Sequence, residues 1–243
     1  MMKFDLIIPV YNEVDYIQNS LSVVSSFLFK MSAFIDWDIV VVDNASTDKT
    51  KQVVQMYADQ NLNNFQLNYL FIKQKGKGRA IKVGARKSKA DIFGFIDVDL
   101  AADPGYMDLM LKMVLDNDAD LVIASRLLNT KTTDRSWWRN LSSRIFNKIV
   151  NLFLKLDIRD TQCGLKIMNK RAKNVLLKCE ENDWFLDIEF LARAKKEGLK
   201  IKEVSVPWVE NRYQNRKSKI KYFKDSLEGL LAILRIKKRL KYA

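Results

Sequence analysis

The stretch Asp91-Ile92-Phe93-Gly94-Phe95-Ile96-Asp97-Val98-Asp99 decides the architecture. Its centre is apolar, rich in strand-forming residues, and too continuous for a half-exposed strand. It therefore reads as a strand buried on both faces, as in a parallel sheet covered by helices. Its end turns abruptly acidic. Ligands of open parallel sheets bind beyond the carboxyl ends of the strands, which is where Asp97 and Asp99 fall. Carboxylates two apart on a bent chain both reach a hard divalent cation, and such a cation bridges phosphate oxygens. A lone Asp-x-Asp is common by chance; the apolar run before it and the helix opened by Pro104 after it favour metal binding.

Outward from this strand, similar runs occupy residues 4–10, 38–43, 68–73 and 120–125, with helical patterns at 16–29, 48–59, 79–88 and 104–116. Strands alternating with helices predict an α/β fold with a mostly parallel, helix-covered sheet. After Ser125 the alternation lapses into a basic polar stretch and an amphipathic segment, 137–156. A helix at 184–196, a strand at 201–208, a basic linker at 211–221 and a last amphipathic helix follow. The expected organisation is one domain over 1–210, with halves 1–125 and 126–210, extended by a basic loop and helix over 211–243.

The 243 residues carry 42 Lys and Arg against 29 Asp and Glu, a formal charge of +13 that favours anionic partners. Histidine is absent, which excludes Ser-His and Cys-His nucleophile pairs and any imidazole acid or base. Chemistry must rest on carboxylates, cations or metal. Two cysteines, Cys163 and Cys179, make neither a disulfide framework nor a zinc site, and point to a reducing, cytoplasmic location. The N-terminus lacks the features of a cleaved signal, and no window offers the ~18 to 20 apolar residues of a spanning helix.

Three further strand ends join the acidic pair: Pro9-Val10-Tyr11-Asn12-Glu13, Asp43-Asn44-Ala45-Ser46-Thr47-Asp48, and the loop Gly76-Lys77-Gly78. Singly each has a plain reading, with Asn12 and Asp48 as helix caps and the glycines as a turn. Gly76-Lys77-Gly78-Arg79 lacks the spacing and hydroxyl residue of a Walker A loop, so nucleoside triphosphate hydrolysis is not supported.

Collinear, these pieces resemble the family 2 glycosyltransferases of GT-A (Rossmann-like) fold, specifically the polyprenyl-phosphate or dolichyl-phosphate glucose and mannose synthases. Downstream, Ile123-Ala124-Ser125-Arg126, Arg139 with Ser143, and Asp160-Thr161-Gln162-Cys163-Gly164-Leu165-Lys166 resemble segments of the lipid-phosphate branch, the last string looking most like the dolichyl-phosphate β-glucosyltransferases. The resemblance implies an inverting hexosyltransferase using a UDP- or GDP-hexose. Pro9, Tyr11, Glu13 and Asp43 would hold the nucleoside, with Lys77 also on the donor. Asp97 and Asp99 would hold Mg²⁺ or Mn²⁺ on the diphosphate, and Arg126, Arg139 and Ser143 would grip the acceptor phosphate. Asp187 and Glu189 match a late acidic motif, and Ser218 and Lys219 the end of a basic loop near the donor. The sequence departs from the family at Asn44-Ala45, where Asp-Gly is usual, and at Ala101, where mannose-type relatives often show a polar residue. The second departure leans towards glucose.

The chemistry suits a chain without histidine. A phosphomonoester has a second pKa of about 6 and is already a competent nucleophile near neutrality, so no strong base is obligatory. Arginine's planar fork gives paired hydrogen bonds to phosphate oxygens. An isoprenoid acceptor must be met at a bilayer. Trp137, Trp138, Leu141, Ile145, Ile149, Phe153 and Leu156 follow helical spacing among basic residues, as do Phe223, Leu227, Leu230, Leu231 and Leu234. The first stripe favours a membrane surface over packing on the domain, the second suits either, and both could instead mediate oligomerisation. The expected location is the cytoplasmic membrane face, with no nucleic-acid partner because no nucleic-acid-reading motif is present. Transfer to a sugar or protein acceptor stays open as the alternative.

Overall fold

A computed structural model describes residues 1–61, 65–129, 133–134, 137–209 and 222–242. The first part alternates strictly: β1 (Lys3–Val10), α1 (Ile17–Met31), β2 (Asp36–Asn44), α2 (Thr50–Gln60), β3 (Gln66–Ile72), α3 (Lys77–Lys87) and β4 (Ile92–Ile96). A 3-10 turn (Pro104–Tyr106) leads into α4 (Met107–Leu115), β5 (Leu121–Ser125), β6 (Thr133–Asp134), α5 (Trp137–Leu154) and β7 (Leu165–Asn169). Then come α6 (Lys170–Leu177), α7 (Leu186–Lys196), β8 (Ile201–Ser205), β9 (Trp208–Val209) and α8 (Tyr222–Tyr242).

Seven strands form one sheet in the order β3-β2-β1-β4-β7-β5-β8, and β6 pairs with β9 apart from it. Strands β1 to β4 are parallel to one another and β5 is parallel to β8, whereas β7 runs antiparallel between β4 and β5. The carboxyl ends of β1, β2 and β4 therefore share one edge. Side chains alternate across the sheet. Phe4, Leu6, Ile8, Ile92 and Ile96 meet α1, α2 and α4, while Ile7, Phe93 and Phe95 meet α3, α6 and α7 on the other face. Gly94 is the gap in this pattern: a methyl group there would lie 3.0 Å from the Phe4 ring.

The mostly parallel, helix-covered sheet is as expected from the alternation, with three differences. Strand β7 and helix α6 were not expected. Lys166 interrupts the β7 run, yet it is fully buried because its ammonium reaches Asp187 at 2.6 Å and donates to the Cys163 carbonyl at 2.7 Å. The decisive stretch pairs with its neighbours only over Ile92–Ile96. The expected strand 201–208 ends at Ser205, and after Pro207, which has no amide to donate, the chain leaves the sheet as β9.

Helices α5 and α8 pack on each other and on the domain through Val150, Ile233 and Ile236. The expected stripes are thereby split. Leu156 is buried and Ile149 packs against the core, while Trp138, Leu141 and Ile145 stay exposed, as do Leu230, Leu231 and Leu234. Glu181 clamps α8, accepting from Arg235 at 2.7 and 2.8 Å and from Arg239 at 2.8 Å. Among the described residues, no helix is long and apolar enough to cross a membrane.

Candidate active site

At the end of β1, Pro9 lies beyond the last pairing with β4, Ile7 with Phe95, so its missing amide leaves that ladder intact. Tyr11 follows, and Lys75 donates to its hydroxyl at 2.5 Å while resting 4.4 Å from the ring centre. Asn12 adopts a left-handed conformation, φ 52°, and locks the loop after β2: its amide donates to Ser46 Oγ and its Oδ1 accepts from the Thr47 amide. Asp48 accepts from the Thr50 amide at the start of α2 and from Val14. Burial pushes this carboxyl up, but the hydrogen bonds from Thr50 and Val14 outweigh it and hold it below the usual range. Asn12 and Asp48 are thus loop fasteners. Glu13 is buried, its amide bound to Thr50 Oγ1.

Asp43 closes β2 with both oxygens engaged, Oδ1 by the Ser46 amide at 2.8 Å and Oδ2 by the Tyr69 hydroxyl at 2.6 Å. Burial, then the Asp43 bond and charge, push the Tyr69 phenol above its ordinary range. Next to it the departure from the family pattern has a structural use: Asn44 donates to the Val10 carbonyl at 2.6 Å and accepts the Gly76 amide at 3.1 Å, fastening the glycine loop to β1. Ala45 takes φ 70°, the conformation for which glycine is the usual choice.

The acidic turn is supported from three directions. The Asp97 amide donates to the Gly164 carbonyl at 3.1 Å, Ser20 on α1 donates its hydroxyl to the Val98 carbonyl at 2.5 Å, and Asp99 accepts the Ala101 amide at 3.2 Å. The Asp97 carboxyl lies directly against Gly164, where a Cβ would come within 2.1 Å of Oδ2. Lys77 contacts Asp97 Oδ1 at 2.6 Å and sits 5.2 Å from the Trp184 ring centre. Burial alone would pull this ammonium down, but Asp97, Asp187 and Asp99 outweigh it and hold Lys77 above the usual lysine range. Asp187 is in turn paired with buried Lys166, so charges alternate beneath the turn.

Among the described residues no third carboxylate, cysteine or histidine converges on this turn to make a closed metal cage. Two carboxylates on a turn that Gly164 leaves room for would suit a hard divalent cation such as Mg²⁺ or Mn²⁺.

The second half of the site follows β5. Arg126 is nearly buried, with Nε 3.0 Å from Asp160 Oδ2 and its guanidinium 4.9 Å from the Trp208 ring centre. Asp160 is held by its amide bond to Glu203 at 3.0 Å. Ser125 Oγ, Asp160 Oδ1 and Trp208 Nε1 are buried around this arginine with no hydrogen-bond partner. Trp208 also reaches the acidic turn: it bridges Ala102, the Val209 amide donates to Ala101, and the Asp103 amide donates to Pro207. One short strand thereby joins the two halves.

Ser143 is half-buried on α5. The side chain of Arg139, and Ser218 and Lys219 entirely, lie outside the described residues. Glu189 is not brought to the crevice; it is fully buried, accepting the Glu180 and Glu181 amides and pairing with Arg193. Both cysteines are buried free thiols, and burial pushes Cys163 up to about 12. Sequence reasoning missed Lys75, Tyr69, Trp184, Glu203 and Trp208. Only Trp208, a lone indole closing an apolar strand, offered a signal.

Residues 5–176 match the profile described as Glycosyl transferase family 2. The chain belongs to that family. This family 2 glycosyltransferase is 28% identical over 210 residues to Glycosyltransferase AglD of Haloferax volcanii, covering 85% of this chain and 33% of that protein. It is 30% identical to the Dolichyl-phosphate beta-glucosyltransferase of Saccharomyces cerevisiae, covering 84% of this chain and 66% of that protein, and 30% identical to a dolichyl-phosphate beta-glucosyltransferase of Trichomonas vaginalis, covering 88% and 67%. The chain thus spans about a third of the first relative and about two thirds of the others. In fold it is similar to glucosyl-3-phosphoglycerate synthase of Mycobacterium tuberculosis, solved with Mn²⁺, UDP-glucose and phosphoglyceric acid: TM-score 0.71, 16% identity, 98% of this chain and 80% of that one. The fold is GT-A-like.

Proposed function

We propose that this glycosyltransferase moves a hexose, glucose in preference to mannose, from a UDP- or GDP-hexose to a polyprenyl or dolichyl phosphate, with inversion at the anomeric carbon. The observation that carries the reading is the pairing of a two-carboxylate turn with a nearly buried arginine through one strand, the Trp208 connection. The names of the dolichyl-phosphate relatives support the acceptor and the sugar.

In this reading Pro9, Tyr11, Glu13 and Asp43 form the nucleoside end, and Asp97 and Asp99 hold Mg²⁺ or Mn²⁺. That ion supplies Lewis-acid stabilisation of the leaving diphosphate. Lys77 places a second cation beside the same carboxylate. Arg126, Arg139 and Ser143 fix the acceptor phosphate, whose oxygen lone pair attacks the anomeric carbon. The carbon–oxygen bond to the diphosphate breaks, and the nucleoside diphosphate leaves with the electron pair. No proton moves, so alignment and charge neutralisation carry the rate. The exposed apolar residues on α5 and α8 support a crevice that works at a membrane surface, and two free thiols suit its cytoplasmic side.

The test is to incubate purified protein with a panel of UDP- and GDP-hexoses, Mg²⁺ or Mn²⁺ and a short polyprenyl phosphate, with Asp99→Asn alongside, and read the lipid fraction by mass spectrometry. A hexosyl-phosphate lipid made by the wild type and lost in the variant is expected. Failure with every donor would sink the reading, and nucleotide release without lipid product would redirect it to a sugar or protein acceptor.

A further inference from the structure

A shallow groove of about 240 Å³ lies between the middle of α5 and the loop that follows it, with Leu127 at its edge, directly after Arg126. Its walls are built by side chains. Asn151 grips the loop in both directions, accepting the Ile158 amide at 3.0 Å and donating to the Ile158 carbonyl at 2.7 Å. Asn147 accepts from the Thr161 amide and hydroxyl at 2.9 and 2.8 Å. The loop itself is strained, with Lys155 at φ 54° and Asp157 at φ 57°, a conformation that side-chain-bearing residues keep only where the surroundings impose it.

Three exposed cations, Arg144, Lys148 and Arg159, line this groove with a single carboxylate, Asp157. None of the three forms an ion pair among the described residues, whereas Arg171, Lys178, Arg193, Arg235 and Arg239 all do. Helix α5 carries no Asp or Glu to neutralise them. The same helix exposes Trp138, Leu141, Ile145 and Leu152, so a cationic row runs beside an apolar one. A soluble phosphate would satisfy the cations and leave the apolar row in water. A phospholipid satisfies both, because its phosphodiester accepts from the guanidinium forks while the apolar row enters the interface.

We propose that the groove between α5 and the 155–159 loop is a headgroup site for an anionic phospholipid, seating α5 in the bilayer interface with the Arg126 end of the crevice beside it. The inference rests on the membrane part of the proposed function and is independent of the acceptor.

The experiment is sedimentation of the full chain with phosphatidylcholine vesicles, with and without phosphatidylglycerol, in the absence of polyprenyl phosphate and nucleotide sugar. The site variant is Arg144→Gln/Lys148→Gln/Arg159→Gln. The control, Lys30→Gln/Lys51→Gln/Lys112→Gln, removes the same charge from α1, α2 and α4 on the opposite face of the sheet. Circular dichroism melts establish that both fold. Wild type is expected to bind the phosphatidylglycerol vesicles, and the site variant to lose on the order of 10²-fold in apparent affinity. The control should stay near wild type, its charges lying beyond the screening length of about 8 Å. Equal losses in both variants, or wild-type binding by the site variant, would overturn the groove and leave membrane association standing. Failure of the wild type to bind any vesicle would overturn both, while the acceptor assay in detergent still decides the reaction.

Discussion

At Gly164 one hydrogen atom decides where Asp97 sits. An added methyl group would overlap the carboxylate, and displacing a reacting group by about 1 Å costs on the order of 10²-fold in rate. Gly164→Ala is therefore expected to lower kcat by about that factor and to weaken Mn²⁺ binding measured by electron paramagnetic resonance, with an unchanged circular dichroism spectrum. Asp5 makes a second case. Burial pushes its carboxyl up, a Ser88 hydrogen bond opposes, and the Asp38 charge adds to the rise; Oδ1 is buried without a partner. The folded state thus holds this proton more tightly than the unfolded state, so stability falls as pH rises from about 4 through the raised value. Asp5→Asn should raise the melting temperature at pH 7 and leave it unchanged near pH 3, as a pair of thermal melts would establish. The motif positions were legible in the sequence, since Asp97, Asp99, Asp43 and Arg126 all stand at strand ends. The reasons for their neighbours were not, because Gly164 against Asp97 and Tyr69 on Asp43 are contacts between segments remote in the chain.

Helix α8 depends on Glu181. Burial pushes this carboxyl up, but Arg235 and Arg239 outweigh it and hold it below the usual range. The clamp's contribution is therefore complete above the ordinary glutamate pKa of about 4.3 and is lost as pH falls through the lower folded value. Glu181→Gln should cost about 2 kcal/mol in denaturant unfolding and raise hydrogen exchange in α8 more than in the central strands. The amphipathic character of α5 and α8 was readable from spacing. Which part of each stripe is covered was not, because the stripes are wider than the surface each helix meets. Strand β7 escaped for the opposite reason. Lys166 breaks its apolar pattern, and only the distant Asp187 makes that lysine acceptable in a core.

Across the whole molecule, the two halves of the crevice meet through Trp208. Its face supports Arg126, an interaction contributing about 0.5–2 kcal/mol, while its backbone is tied to the acidic turn. Trp208→Phe keeps an aromatic face and should stay within a few-fold of wild type. Trp208→Leu should raise the acceptor KM about tenfold with the donor KM unchanged, and steady-state kinetics varying each substrate separately would separate this from a general loss of fold.

The antiparallel strand β7 sets a calendar for the chain as it leaves the ribosome. Strands β1 to β4 pair among themselves and are free to assemble early, but β5 has no neighbour in the sheet until β7 has been synthesised. The Asp97 turn waits as well, since the carbonyl that anchors its amide belongs to Gly164. A nascent or truncated chain ending before β7 therefore presents β4 as an open apolar edge, the kind that chaperones must cover. The carboxylate turn is completed only when that edge closes, so an unfinished chain lacks the finished acidic turn.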